Sequence, residues 1–128
     1  MAEVNRKEII QTIRAFHALM EECDRKLNEI RRLSRKTQRS GRTLPAVLEE
    51  TQLHLKERKE KLCAIWACYL ALPETESRIL SLLYENTPER EKYVEKIERV
   101  TAETGYSASH IARLASRGVN RIRERCGQ

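Results

Sequence analysis

The side chains that most often carry chemistry in proteins are sparse in this chain and are not grouped. Its four cysteines form no Cys-x-x-Cys pair, and no histidine follows them at zinc-ligand spacing. His17 and His54 fall on the expected surface of long helical repeats, and Cys126 falls in an expected frayed tail. There is no glycine-rich phosphate loop. The residues therefore predict no catalytic set, no metal site and no cofactor, and we expect a protein that is not an enzyme.

The segment from Ile97 to Arg117, IERVTAETGYSASHIARLASR, has a spacing that favours a particular function. Counted from its first residue, aliphatic residues stand at the fourth, fifteenth and eighteenth places and a glycine stands at the ninth. A helix-turn-helix needs buried aliphatics in both helices and a residue that tolerates positive φ in the turn. The matching positions are Val100, Gly105, Ile111 and Leu114, with Ser107 as the expected N-cap. Thr101 stands at the fifth place, where alanine is usual.

The exposed early face of the second of these helices is predicted to contact double-stranded DNA. Small residues let a helix enter the major groove, and Arg113 can reach a guanine edge, while the arginines that follow suit phosphates. The predicted DNA-binding residues are Ser107, Ala108, Ser109, Ala112, Arg113, Arg117 and Arg121. His110 is expected on a partly buried flank, with a phosphate contact as its alternative. The alternative for the whole segment is a plain helical end with a solvated basic face.

Two long heptad repeats precede this segment and are the elements expected to position it. Apolar residues recur at steps of four and three over Ile9–Ile30 and over Leu44–Leu72, where Thr51 and the charged Arg58 occupy two of the repeat positions. Ser40 and Gly41 break the pattern, so the two helices are predicted to form a coiled-coil-like antiparallel hairpin. The predicted register pairs Leu27 with Leu55, Phe16 with Ile65, and Ile9 with Leu72. Two helices bury little, so a third element or a second copy of the chain is expected to cover part of the seam.

Two shorter helices are expected between the hairpin and the last helix. Leu72-Pro73-Glu74 opens the first, whose expected buried stripe is Ile79, Leu80, Leu83 and Tyr84. Asn86-Thr87-Pro88 is expected to close it and to start the next, which carries Tyr93, Val94, Ile97 and Val100. The predicted fold class is therefore all-α. The predicted domains are a two-helix antiparallel hairpin over 1–72 and a helix-turn-helix domain over 73–128.

Basic residues are concentrated in two regions of the chain. The net charge is +6; residues 1–42 carry +5 and residues 107–128 carry +4, whereas residues 73–106 carry −3. Eight cations lie around the expected hairpin turn, from Arg25 to Arg42. They are either a second phosphate contact or a solvated helix end whose cations complement the macrodipole. The second interpretation is favoured here because no aromatic residue is interleaved for stacking on bases.

From Leu72 onward the chain resembles region 4 of sigma-70-type factors. Pro73-Glu74-Thr75-Glu76 followed by Ile79-Leu80 is similar to the proline-acid-aliphatic opening of that module. Gly105-Tyr106-Ser107-Ala108-Ser109-His110-Ile111 is similar to its turn and the head of its recognition helix. A basic hairpin ahead of this module resembles small phage-encoded sigma-like proteins, including late transcriptional activators of the ArpU and RinA kind. The resemblance implies promoter binding upstream of phage genes and contact with host RNA polymerase.

Some features depart from that family pattern. Residues 86–94 form a longer and more acidic link than the usual tyrosine-then-glycine connection. Gly118 stands where alanine or a basic residue is usual, so we expect the last helix to bend or end there, which weakens Arg121 as a DNA contact. The sigma region whose aromatics melt DNA has no counterpart. The resemblance thus implies a protein that does not open a promoter alone.

These patterns together predict a sequence-specific DNA-binding transcription regulator of phage origin, located in the cytoplasm. RNA polymerase and a second copy of the chain are the expected protein partners. The alternative is a protein-interaction module whose hairpin binds and inhibits a host machine, such as RNA polymerase or a defence nuclease. Charges interrupt the first residues and no apolar run approaches the roughly 20 residues of a membrane span, so neither a signal peptide nor a membrane is expected.

Overall fold

The computed structural model describes residues 3–85, 87–88 and 90–127, and this part of the chain is all-α, as predicted. The described residues form five helices and no strand. In chain order the helices are α1 (Arg6–Arg39), α2 (Ala46–Leu70), α3 (Glu74–Tyr84), α4 (Tyr93–Thr104) and α5 (Ala108–Cys126). None of these five helices combines the length and the apolar character needed to cross a membrane.

Local signals in the sequence explain where α1 begins and ends. Asn5 Oδ1 accepts a hydrogen bond from the Glu8 N–H at 2.9 Å and so caps the first turn. Gly41 adopts φ +74°, and the Arg42 N–H donates to the Thr37 carbonyl oxygen at 3.0 Å, which closes the last turn. The predicted break between the two long helices therefore lies at Gly41.

The chain has two compact units. The hairpin unit is His17–Cys63, and the core unit combines the residues up to Phe16 with those from Ala64 onward. Next to this division, the backbone of Ala15 leaves the helical region (φ −141°, ψ 33°) within α1. The units do not follow the predicted division between residues 72 and 73, because the outer ends of α1 and α2 share a core with the three helices that follow.

The core unit buries one side of each of its helices. α3, α4 and α5 pack against one another. Their core includes Ile9 and Ile13 of α1, Ile65 and Tyr69 of α2, Ile79, Leu80, Leu83 and Tyr84 of α3, Val100 of α4, and Ile111, Val119 and Ile122 of α5. The stripe predicted for α3 is thus confirmed, and full burial of each such aliphatic side chain stabilises the fold by about 1.5–3 kcal/mol. At this end of α1 and α2, the seam between the two helices is covered by other elements of the same chain, which is one of the two alternatives expected from the sequence.

A stacked aromatic pair joins α1 to α2 within the core unit. The rings of Phe16 and Trp66 lie 4.6 Å apart and are inclined by 6°, one residue from the predicted pairing with Ile65. Trp66 also contacts Tyr69, with ring centroids 5.1 Å apart. The Tyr69 hydroxyl donates to Glu85 Oε2 at 2.9 Å. The aromatic cluster therefore fixes the two long helices to each other and ties α2 to the end of α3.

The hairpin unit has a thinner core on the predicted heptad positions. Its buried apolar side chains are Cys23, Leu27, Ile30 and Leu62. The Lys59 ammonium forms an ion pair with the Asp24 carboxylate across the two helices. Leu55 is half-buried, whereas the polar heptad positions Thr51 and Arg58 are exposed. The seam of this unit is therefore buried mainly from the α1 side.

Helix α5 continues through Gly118, contrary to the expected bend or end. It runs on to Cys126, which is buried rather than frayed, with its Sγ 3.6 Å from Cys68 Sγ. Burial raises the pKa of the Cys126 thiol to about 11. A Cβ atom at position 118 would lie 2.7 Å from Leu80 Cδ1 and 3.6 Å from Glu76 Cβ. Gly118 therefore allows α5 to approach α3 closely, which explains glycine inside a helix.

Replacing Gly118 with valine is expected to destabilise the protein by about 2–3 kcal/mol, because two methyl groups would overpack the contact with buried Leu80. Asn120→Val, at an exposed position of the same helix, is the matched control and is expected to change the free energy of unfolding by less than about 1 kcal/mol. Urea unfolding followed by circular dichroism measures both. If both variants lose the same free energy of unfolding, the close approach of α5 to α3 at residue 118 does not account for the effect.

The buried Tyr69 predicts a loss of stability in alkali. Burial raises its pKa to about 12 from 10.0. A raised folded-state pKa means that the stability is present below about pH 10 and is lost as pH rises toward 12. Tyr69→Phe should therefore show a smaller fall in Tm over this range, although not a flat profile, since burial also raises the pKa of Tyr84. The two proteins differ only at this hydroxyl, so parallel Tm profiles would contradict the assignment.

Candidate nucleic-acid interface

A tight connection at Gly105 joins α4 to α5. Gly105 adopts the left-handed conformation (φ 78°, ψ 1°), and its N–H donates to the Thr101 carbonyl oxygen at 2.8 Å. Ser107 Oγ then accepts from the His110 N–H at 3.2 Å, which caps the first turn of α5. Both roles were predicted from the sequence. Because a non-glycine residue is strained at this φ, the turn residue is fixed by backbone geometry rather than by side-chain contacts.

Helix α4 begins later than the sequence predicts. Its first residue is Tyr93, whereas the proline at 88 suggested an earlier start; Asn86, in the predicted link, lies outside the described residues. Tyr93 and Val94 are exposed, so only Ile97 and Val100 of the predicted apolar set pack inward.

An arginine clamp holds the segment before α4 in a non-helical path. The Arg99 guanidinium donates to both carboxylate oxygens of Glu91, at 2.9 and 3.2 Å, and to the Leu82 carbonyl oxygen at 2.7 Å. This hydrogen bonding lowers the pKa of Glu91 and raises that of Arg99. Lys96 Nζ donates to the Glu91 backbone carbonyl at 3.2 Å. The clamp thus fixes α4 against the end of α3.

The predicted inward positions of α5 are buried. Ile111 is fully inaccessible to solvent, and Leu114 is 7% exposed. They continue into a stripe at helical spacing that also contains Ala115, Gly118, Val119, Ile122 and Cys126. With this side of the helix packed, the opposite side of α5 must face outward.

That outward side presents most of the predicted DNA-binding residues together. Ser107, Ala108, Ser109, Arg113 and Arg117 are exposed, and Ala112 is half-buried beside them. Within the described chain, Arg113 and Arg117 form no ion pair. They lie one helical turn apart, about 6 Å along the axis. We call these six residues the α5 face.

Asn120 extends the α5 face and was not singled out in the sequence. It is exposed and follows Arg113 and Arg117 at steps of four and three. That spacing was readable from the sequence, because it places the three polar side chains on one side of a helix. Asparagine offers a donor and an acceptor for a base edge or a phosphate.

Arg121 is held apart from the α5 face by an ion pair. Its Nε donates to Glu76 Oε1 at 2.9 Å, and Glu76 itself is only 4% exposed. A buried carboxylate needs such a partner, so the arginine links α5 to α3. A signal was present in the sequence, since Glu76 stands three residues before Ile79 on the buried stripe of α3. Nothing in the sequence indicates that the partner of Glu76 is Arg121, 45 residues away.

His110 lies on the partly buried flank that the sequence predicted. Its ring packs edge-on against Tyr106, with centroids 4.8 Å apart and planes 89° apart. The Tyr106 N–H donates to Thr104 Oγ1 at 3.2 Å, which ties the turn to the end of α4. The pair therefore stiffens the approach to the α5 face.

Comparison of the chain with known protein families, with curated proteins and with solved structures found no match. Among the described residues, no group of three or more His, Cys, Asp or Glu side chains is placed to hold a metal ion.

Removing Arg121 is expected to lower the free energy of unfolding, because the ion pair with buried Glu76 is lost. Arg121→Ala leaves the buried Glu76 carboxylate unpaired and should cost about 1–2 kcal/mol, a value reduced because the arginine is half-exposed. The control is Arg123→Ala, an exposed arginine in the same helix, expected within about 0.5 kcal/mol of the unsubstituted protein. Urea unfolding compares the two. Adding Glu76→Gln to Arg121→Ala should recover part of the loss, and no recovery would contradict the pairing.

Proposed function

We propose that this protein is a sequence-specific DNA-binding transcription regulator. In this proposal α4, the Gly105 turn and α5 act as a helix-turn-helix whose second helix enters the major groove. The observation that carries the proposal is the α5 face, where small side chains and two arginines that pair with no carboxylate of the described residues project from the side opposite the core. The first turn of α5 also contains no acidic residue, which favours approach to a polyanion.

The residues of the α5 face have different roles in this proposal. Ser107, Ala108 and Ser109 are short enough to let the start of the helix sit deep in the groove. Arg113, one turn further along, donates to the O6 and N7 acceptors of a guanine. Arg117 binds phosphate and sets the orientation of the helix on the duplex. Asn120 is placed to add a second contact, either to a base edge or to a phosphate.

The likeness to sigma-70 region 4 leads us to propose a biological setting. The chain binds promoters of phage genes from within the cytoplasm and contacts host RNA polymerase, and it binds as a dimer or together with the polymerase. Support comes from the proline-acid-aliphatic opening at Pro73 and the glycine turn at residue 105. The alternative function is the protein-interaction module that binds and inhibits a host machine. It is favoured by Leu33, Val47 and Leu53 of the hairpin unit, which are between 42% and 71% exposed.

Retention of genomic DNA fragments by the purified protein, across a salt series, tests the proposal. A regulator retains a few fragments selectively, and its affinity falls steeply with salt. Arg113→Ala should reduce discrimination between specific and random fragments by about 5- to 150-fold, the value of one bidentate base contact. Arg117→Ala should weaken binding to all fragments alike and reduce the salt slope by about 1.

Arg78→Ala is the matched control, because it removes the same charge from an exposed position of α3, outside α5 altogether. It should leave discrimination unchanged. Equal loss of specific and random binding by Arg113→Ala would contradict its role at a base. No retention of any fragment at low salt would contradict DNA binding and favour the protein-interaction alternative.

A further inference from the structure

The turn end of the hairpin unit carries a concentrated positive charge. Six cations occur between Glu29 and Glu49 with no acidic residue among them. They are Arg31, Arg32, Arg35, Lys36, Arg39 and Arg42, which we call the basic tip. Their charge equals the net charge of +6 of the whole chain, so the remaining residues sum to zero. The tip is therefore the larger of the two concentrations of positive charge that attract a polyanion, since residues 107–128 carry +4.

The cations of the basic tip are not neutralised within the described chain. All six side chains belong to exposed residues. None forms an ion pair with a described carboxylate. Two ion pairs of this unit, Glu22–Lys26 and Asp24–Lys59, lie further from the turn. Among the described residues, the polar contact of a tip side chain is the hydrogen bond that Arg31 donates to Asn28 Oδ1, at 3.4 Å. The tip is thus an open donor surface.

Helix stability does not account for the basic tip. The macrodipole favours cations within the last turn of a helix, and only Lys36 and Arg39 lie in the last turn of α1. Arg31 lies two turns earlier, and Arg42 lies beyond the end of the helix. Arginines at 31, 35 and 39 also repel one another, because residues four apart are neighbours on a helix. The sequence-based interpretation as a solvated helix end therefore explains two of the six charges.

The composition of the basic tip fits phosphate as the ligand group. Five of its six cations are arginines, whose planar forks bind phosphate oxygens in pairs. The row 31, 35 and 39 spaces three of them about 6 Å apart along α1. No aromatic residue occurs between Phe16 and Trp66, so stacking on unpaired bases is not available. These features favour the backbone of a duplex over a single strand.

We infer that the basic tip is a second DNA-binding surface that holds the phosphate backbone of duplex DNA without reading its sequence. This inference deepens the proposed function by adding a contact from the other compact unit. The tip supplies most of the salt-sensitive affinity, whereas the α5 face supplies discrimination and the single phosphate contact of Arg117. The two surfaces are therefore separable by substitution.

The test uses the full chain and a triple variant of the tip, Arg35→Gln, Lys36→Gln and Arg39→Gln. The matched control removes three exposed charges elsewhere in the hairpin unit, by Arg25→Gln, Lys56→Gln and Arg58→Gln. Binding to a short duplex of random sequence is measured by fluorescence anisotropy across a salt series. The tip variant should lower the slope of log K against log salt by about 2–3 and weaken binding at least about tenfold. The control should change both values much less.

Three outcomes would overturn the inference. The first is an equal loss in the tip variant and the control, which would mean that only net charge matters. The second is no loss in the tip variant. The third is binding to a single strand of the same sequence as tightly as to the duplex, which would exclude duplex phosphates as the ligand. Circular dichroism and thermal unfolding verify that each variant is folded, which its exposed positions favour.

Failure of the proposed function gives a different pattern. The tip substitutions are therefore also made in a chain that carries Arg113→Ala and Arg117→Ala. If the tip binds a duplex but the α5 face does not read DNA, the tip effect persists while these two substitutions change no discrimination. If the α5 face reads DNA alone, discrimination is lost with Arg113→Ala and the tip substitutions leave the salt slope unchanged.

Discussion

The close approach of α5 to α3 is the constraint on which the candidate interface depends. At Gly118 the absence of a side chain lets the helix lie against Leu80, and any Cβ there would meet that side chain at 2.7 Å. The contact sets the rotation of α5 about its own axis. Ile111 and Leu114 are thereby fixed inward and Arg113 outward. The glycine that was expected to bend or end the last helix thus helps, together with the rest of the buried stripe, to fix which residues α5 presents to solvent.

Pairing with carboxylates separates the arginines that build the fold from those left for a ligand. Arg99 and Arg121 each bind a glutamate and join α4 or α5 to neighbouring elements. Arg113 and Arg117 bind no carboxylate in the part of the chain that the structure describes. An arginine bound to a buried carboxylate cannot turn to a phosphate without leaving that charge unpaired, which is costly. A count of charges along the sequence does not distinguish these two groups of arginines, whereas the carboxylates that they bind in the structure do.

Local and periodic signals made much of the fold predictable, and contacts between distant residues were the part that they missed. Gly41 and Gly105 are turn residues because their positive φ is a local property of the backbone. The apolar stripe of α3 followed from helical periodicity. Neither kind of signal reveals that Glu76 meets an arginine 45 residues later, or that Glu91 and its clamp delay α4. For the same reason, the sequence left open whether a third element or a second copy covers the hairpin seam, and the core shared by the hairpin ends and α3–α5 is the first of these.

Under the proposed function, the distribution of charge gives a physical reason to divide affinity from discrimination. Phosphate contacts are nearly independent of sequence, so adding them beside a base-reading helix would raise binding to every site. The α5 face carries few charges, because Arg113 and Arg117 lie beside small neutral residues. The basic tip, in the other compact unit, carries a charge equal to the net charge of the chain. Under the proposed function, base contacts then account for a large share of the energy at the α5 face, and salt changes the total affinity more than it changes the preference among sites.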